Sequence, residues 1–173
     1  MRVWVLRKED YSDKVLSKRL LEYVYFKLMN KKIELDKLTY NQYGKPYYDG
    51  FYFNISHSKN FICIVTSFNE VGIDIEEERK IVSGLEKKIL TSEELKDNNL
   101  NILECWVIKE AYSKYKGLGL RLPFNKVSIL DIKKELSVFN LNCNDFYCYA
   151  IGSEEFEGIE YLNVRTIMGD FYE

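Results

Sequence analysis

The chain has 173 residues, 46% of them hydrophobic and 30% charged, and a formal net charge of −2. That length suits one domain, and that apolar content suits a packed core rather than a disordered chain. The near-neutral charge argues against a nucleic-acid partner, and the absence of an apolar run long enough to span a bilayer argues against a membrane one. The start of the chain, MRVWVLRKEDYSDK, lacks the apolar core of a secretory leader, so a cytoplasmic protein is expected. Four cysteines, at 63, 105, 143 and 148, form no C-x-x-C pair, and the one histidine is His57. They read as small buried hydrophobes in a reducing compartment, not as zinc ligands.

In chain order, RVWVLR (2–7) reads as a first strand. Ser12 can cap a helix running to about Lys31, with Leu16, Leu20, Val24 and Leu28 on one face, widened by Val15, Leu21 and Met29. The polar connection YNQYGKPYYDG follows, rich in turn formers. Strands are expected at 51–55, 61–68 and 71–76. Residues 79–116 read helical, with Thr91 and Glu94 at capping-box spacing and the strongest helix from Asn101 to Lys116, stopped by Gly117. The segments KVSILDI, LSVFN, FYCYAI and YLNVRTI read as strands. This order predicts an α+β fold with largely antiparallel sheet.

Three places carry chemistry. Along Val71–Glu76, alternation sends Val71, Ile73 and Ile75 to one face and Gly72, Asp74 and Glu76 to the other. Asp74 and Glu76 would then lie about 7 Å apart. Taken alone, they read as the solvated face of a half-buried strand; the alternative is a hard cation held between them. At about 100° per residue, Leu103, Val107 and Ala111 form the apolar stripe of the helix 101–116. Glu110 and Lys114 fall inside that stripe, whereas Lys109, Tyr112 and Lys116 fall on the far side. Glu110 and Lys114 are either an i,i+4 ion pair at the stripe's edge or the lining of a site. With Asp74 and Glu76, Glu110 would complete an all-oxygen set that suits Mg²⁺ better than zinc, and Mg²⁺ hints at phosphate chemistry. Ser56 and His57 end a strand, where they could donate to an anion. No nucleophile elbow, Walker loop or dinucleotide fingerprint is present.

Four segments in order resemble the 4′-phosphopantetheinyl transferases, specifically their larger single-chain, pseudo-dimeric subfamily. They are Gly44-Lys45-Pro46, Phe53-Asn54-Ile55-Ser56-His57-Ser58, Gly72-Ile73-Asp74-Ile75-Glu76, and the long run from Trp106 through Lys109-Glu110 and Lys114 to Gly117-Leu118-Gly119-Leu120. The resemblance implies transfer of the 4′-phosphopantetheine arm of coenzyme A to a serine hydroxyl of an apo acyl- or peptidyl-carrier protein, releasing adenosine 3′,5′-bisphosphate. It implies Mg²⁺ held by Asp74, Glu76 and Glu110. Glu110 would be the base, Lys114 the contact to the pyrophosphate, and Lys109 a further catalytic lysine. Lys45, Ser56, His57 and, in the first helix, Lys18 would contact coenzyme A, with Ser56 and His57 on its 3′-phosphate. The implied fold is two similar α+β halves about a pseudo-twofold axis, roughly 1–77 and 78–173, with the site between them in a single catalytic unit. The larger members often exceed this chain's length, and the stretch before the first helix is short. Two alternatives are a synthase of the small trimeric subfamily and a non-catalytic module that binds coenzyme A or a carrier protein.

Overall fold

The computed structural model describes residues 1–172. Strand β1 (Arg2–Arg7) is buried at Val3, Trp4, Val5 and Leu6, so it has a core on each side. Trp4 and Leu6 pack with Leu16, Leu20 and Val24 of helix α1 (Asp13–Met29). Val3 and Val5 pack with Cys63 and Val65 and with Val71, Ile73 and Ile75. The Ser12 side chain caps α1 by accepting from Val15 N–H, and Asn30 closes it in the left-handed region. The apolar stripe is narrower than its sequence suggests, because Val15, Leu28 and Met29 are exposed.

Two sheets form back to back. The first has the order β4 (Tyr52–His57), β5 (Phe61–Ser67), β1, β9 (Gly158–Leu162). The second has the order β6 (Val71–Glu77), β8 (Phe146–Gly152), β7 (Ser137–Asn140). Among the described residues β1–β9 is the one parallel pair, so the fold is α+β and largely antiparallel as expected. Helix α3 (Ile102–Lys116) covers the outer face of the second sheet through Val107, Ile108 and Ala111, against Tyr149 and Ile151. The layers therefore run α1, first sheet, second sheet, α3. The sheets do not divide at residue 77: β6 joins the second, and β9 returns to the first.

Several elements differ from the sequence expectation. The connection 39–47 contains a small ribbon, β2 (Thr39–Tyr40) with β3 (Pro46–Tyr47). The stretch 79–116 is helical only in α2 (Glu86–Ile89), a single 3₁₀ turn at Glu94–Lys96, and α3. KVSILDI is not a strand: Ser128 caps helix α4 (Ile129–Glu135) by accepting from Leu130 N–H. YLNVRTI splits into the end of β9 and helix α5 (Val164–Met168), capped by Asn163. No helix among the described residues is long and apolar enough to cross a membrane.

Candidate active site

Strands β4 and β6 are the edges of their respective sheets, and they meet. An edge strand leaves backbone groups without ladder partners, and buried ones must find others. Here side chains supply them. Asn54 Oδ1 accepts from Ile73 N–H at 3.0 Å. Lys45 Nζ lies 3.4 Å from the Val71 carbonyl. This junction brings the first sheet to the carboxylate-bearing face of β6.

Gly72 brings the helix to that face. A Cβ at Gly72 would collide with the Ala111 carbonyl oxygen and lie 2.5 Å from Tyr115 N. The glycine thus lets α3 rest directly on β6. Asp74, two residues on and on the same face, then sits beside Glu110 and Lys114.

The geometry at this contact is specific. Lys114 Nζ donates to Asp74 Oδ1 at 2.6 Å and to Ser56 Oγ at 2.6 Å, and Ser56 Oγ donates to Asp74 Oδ1 at 2.7 Å. Asp74 Oδ2 and Glu110 Oε1 are buried with no hydrogen-bond partner among the described residues. Burial pushes the Glu110 pKa up, Asp74 and Glu76 push it further, Lys114 opposes them, and the outcome is about 7. Burial alone would lower the Lys114 pKa, but the charge and hydrogen bond of Asp74 outweigh it and hold the ammonium above its ordinary value. Glu76 is partly exposed and pairs with Arg79 at 3.3 Å. Among the described residues no three His, Cys, Asp or Glu side chains converge closely enough to hold a metal ion. Two orphaned carboxylate oxygens, costly to bury as they stand, nevertheless fit a hard cation.

The remaining sequence candidates are distributed as follows. Lys109, expected on the exposed side of α3, is 0% exposed. Its ammonium donates to Glu94 at 2.5 Å, the Ile89 carbonyl at 2.7 Å and the Phe124 carbonyl at 3.1 Å. The structure does not bring it to Asp74 and Glu110. Lys45 is buried, pairing with Glu70 at 2.6 Å and donating to the Tyr115 carbonyl at 3.1 Å near the C-terminus of α3. Ser56 and His57 leave β4 on opposite faces. Ser56 joins Asp74 and Lys114, whereas the His57 side chain is 58% exposed with Nδ1 3.5 Å from Asp13 Oδ2.

Lys18 lines a cleft of about 370 Å³ between α1 and the β2–β3 ribbon, with Lys14, Tyr40, Pro46, Phe53 and Ile55. Pro46 and Ile55 also line an adjoining cleft of about 210 Å³ that reaches Lys114, Gly117 and Gly119. Together they form a groove from the first helix to Lys114, the ammonium that donates to Asp74. Its ribbon is docked by Asn41, whose Nδ2 donates to the Gly117 carbonyl at 2.8 Å. Gly117 has φ 68°, and any Cβ there would crowd Asn41 and the Tyr47 hydroxyl.

Sequence reasoning missed Asn54, Glu94 and Asn41 as organisers of the site. For Asn54 the signal was its period-two spacing with Ser56 on a strand. For Glu94 it was the capping box, which forms reciprocally: Thr91 N–H donates to Glu94 Oε2 at 2.8 Å and Glu94 N–H to Thr91 Oγ1 at 3.2 Å.

Comparison with known proteins takes in the segments Gly72–Glu76 and Trp106–Leu120. Residues 70–160 match the family model of the 4′-phosphopantetheinyl transferase superfamily. The chain is 30% identical over 177 aligned residues to an L-aminoadipate-semialdehyde dehydrogenase-phosphopantetheinyl transferase of Candida glabrata, covering 87% of this chain and 68% of the relative. It is 29% identical to the 4′-phosphopantetheinyl transferase gsp of Aneurinibacillus migulanus, over 78% of this chain and 60% of the relative. It is 28% identical to the 4′-phosphopantetheinyl transferase Sfp of Bacillus subtilis strain 168, over 70% of this chain and 59% of the relative. The match thus spans about three-fifths of each bacterial relative's length. By the family model and by the Candida glabrata relative, the chain belongs to the 4′-phosphopantetheinyl transferase superfamily.

Proposed function

We propose that the chain transfers the 4′-phosphopantetheine arm of coenzyme A to a serine hydroxyl of an apo acyl- or peptidyl-carrier protein. The observation that carries this reading is the pair of unpartnered carboxylate oxygens, Asp74 Oδ2 and Glu110 Oε1, beside the Lys114 ammonium. A module that only held coenzyme A would have no use for two such costly groups.

Asp74 Oδ2 and Glu110 Oε1 would hold Mg²⁺, and Glu76, which pairs with Arg79 and does not converge with them, would have to leave that pair to join them. When bound, that ion supplies neutralisation of the coenzyme's pyrophosphate and stabilisation of the leaving group. The groove from Lys18 past Ile55 to Lys114 suits the elongated coenzyme, with Lys114 at the pyrophosphate. Glu110, whose carboxylate lies beside Asp74 and Lys114, would accept the carrier serine's proton. The serine oxygen bonds to the phosphorus that bears the pantetheine, and the phosphorus–oxygen bond to adenosine 3′,5′-bisphosphate breaks. Lys114, held as an ammonium, donates to the oxygen that leaves. The reading is of a monomeric, cytoplasmic enzyme acting on a protein carrier.

Chromatography of a mixture of the chain, coenzyme A, Mg²⁺ and an apo carrier should show one adenosine 3′,5′-bisphosphate released per carrier modified. Glu110→Ala should slow that release by about 10²- to 10⁴-fold. Undiminished release by the variant would remove Glu110 from the mechanism; no release by the wild type across fatty-acid, polyketide and peptide carriers would overturn the reaction.

A further inference from the structure

The segment Asn54–Ser58 forms a polar seam between the two sheets. Asn54, Ser56 and Ser58 alternate along the chain, and all three are buried. Each reaches across to the segment that carries the acidic face. Asn54 accepts from Ile73 N–H, Ser56 donates to Asp74 Oδ1, and Ser58 Oγ donates to Glu77 Oε1 at 2.9 Å. We propose that Ser56, by bridging Lys114 and Asp74 across this seam, is a positioning residue for both and does not read the 3′-phosphate of coenzyme A. The inference rests on the transferase reading and deepens it.

A serine hydroxyl has one hydrogen to donate and two lone pairs to accept with. The hydrogen of Ser56 is committed to Asp74 Oδ1, and a lone pair takes a Lys114 hydrogen. Binding a phosphate oxygen would need that same hydrogen and would strip Asp74 Oδ1 of one of its two partners. Ser56 is also only 3% exposed, so an incoming phosphate would have to displace buried structure. With Oδ1 held by both Ser56 and Lys114, Oδ2 is left without a partner. One hydroxyl thus ties together β4, β6 and α3. His57, on the opposite and exposed face beside α1, is the member of the segment placed to meet a phosphate from solvent.

The test compares coenzyme A with 3′-dephospho-coenzyme A. Calorimetry without added metal gives the ratio of their dissociation constants, and steady-state transfer gives kcat and KM for each. For Ser56→Ala, checked as folded by circular dichroism, kcat should fall about 10- to 100-fold with either coenzyme, as when a partner that orients a functional group is removed. The dissociation-constant ratio should stay within about twofold of the wild type, whereas His57→Ala should lower it. An unchanged kcat in Ser56→Ala, or a collapse of the ratio in that variant, overturns the assignment. A wild type that binds coenzyme A but transfers nothing sinks the transferase reading alone, because the calorimetric ratio still decides Ser56. Binding of neither coenzyme overturns both.

Discussion

Glu110 is held against water exclusion and two neighbouring carboxylates, and the lysine beside it offsets only part of that. Its folded pKa of about 7 lies above the ordinary carboxylate value, so the native state binds a proton that the unfolded state has released. The sign follows. Below the unfolded value the group costs nothing; as pH rises from about 4.5 to 7 the unfolded chain ionises while the native carboxyl keeps its proton, so the native state loses stability, and above about 7 the loss levels off. In the absence of divalent metal, Glu110→Gln should therefore raise stability at pH 8 by about 2–3 kcal/mol and leave it nearly unchanged at pH 4. Urea denaturation at the two pH values checks this. Equal effects at both would show that the Glu110 carboxyl is not strained by its surroundings.

The same scale shows where sequence reading reached and where it stopped. Glu110 and Lys114 were visible because charge inside an apolar stripe violates the helical pattern. Lys109 was misplaced because the wheel assigns a lysine to solvent, and nothing local says that Glu94, fifteen residues earlier, waits for it in the interior. Glu94 holds that ammonium while also accepting from Ile129 N–H at 2.9 Å and Thr91 N–H. Burial opposes its ionised form, but these donors prevail and keep its pKa below the ordinary value. A buried pair satisfied on both sides is hard to break, since removing one partner strands the other's charge. The tie joins α3 to the segments around α2 and α4, an arrangement that only tertiary structure reveals.

Among the elements, the β6–α3 contact decides the site. Gly72 faces the helix backbone itself, which cannot move aside as a flexible side chain can. Gly72→Ala should cost about 3 kcal/mol or more, at the upper end for overpacking, and should separate Asp74 from Glu110. Thermal denaturation and transfer assays check it together. A variant with wild-type stability and rate would mean that α3 does not rest on this strand. The strands β1, β4, β5 and β6 and the long helices were legible because their periodicity is strong. The misread elements share a physical cause. KVSILDI is rich in β-branched and apolar residues, yet it opens α4: Ser128 caps that helix, Asp131 lies in its first turn, Lys133 and Lys134 just beyond the segment lie in its last, and these helix-terminal signals prevailed over β propensity. In YLNVRTI the Asn163 side chain accepts from Thr166 N–H and starts a helix where composition suggested a strand.

For the whole molecule, the layered order seats α3 directly on the acidic strand β6, with a groove reaching Lys114 from α1. The α+β class and the ordered motifs were readable. The return of β9 to lie parallel with β1 was not, because pairing of Arg2 with Gly158 leaves no local trace in either strand. That return, with β6 seated in the second sheet, interlocks the two ends of the chain, so neither half can be cut away without opening the other's sheet. The most direct test is the intact mass of an apo carrier protein after incubation with this chain, coenzyme A and Mg²⁺, with and without a chelator. The account predicts a gain of one phosphopantetheine that the chelator abolishes. A carrier left at its apo mass throughout a fatty-acid, polyketide and peptide panel, or a gain that survives complete chelation, would contradict it.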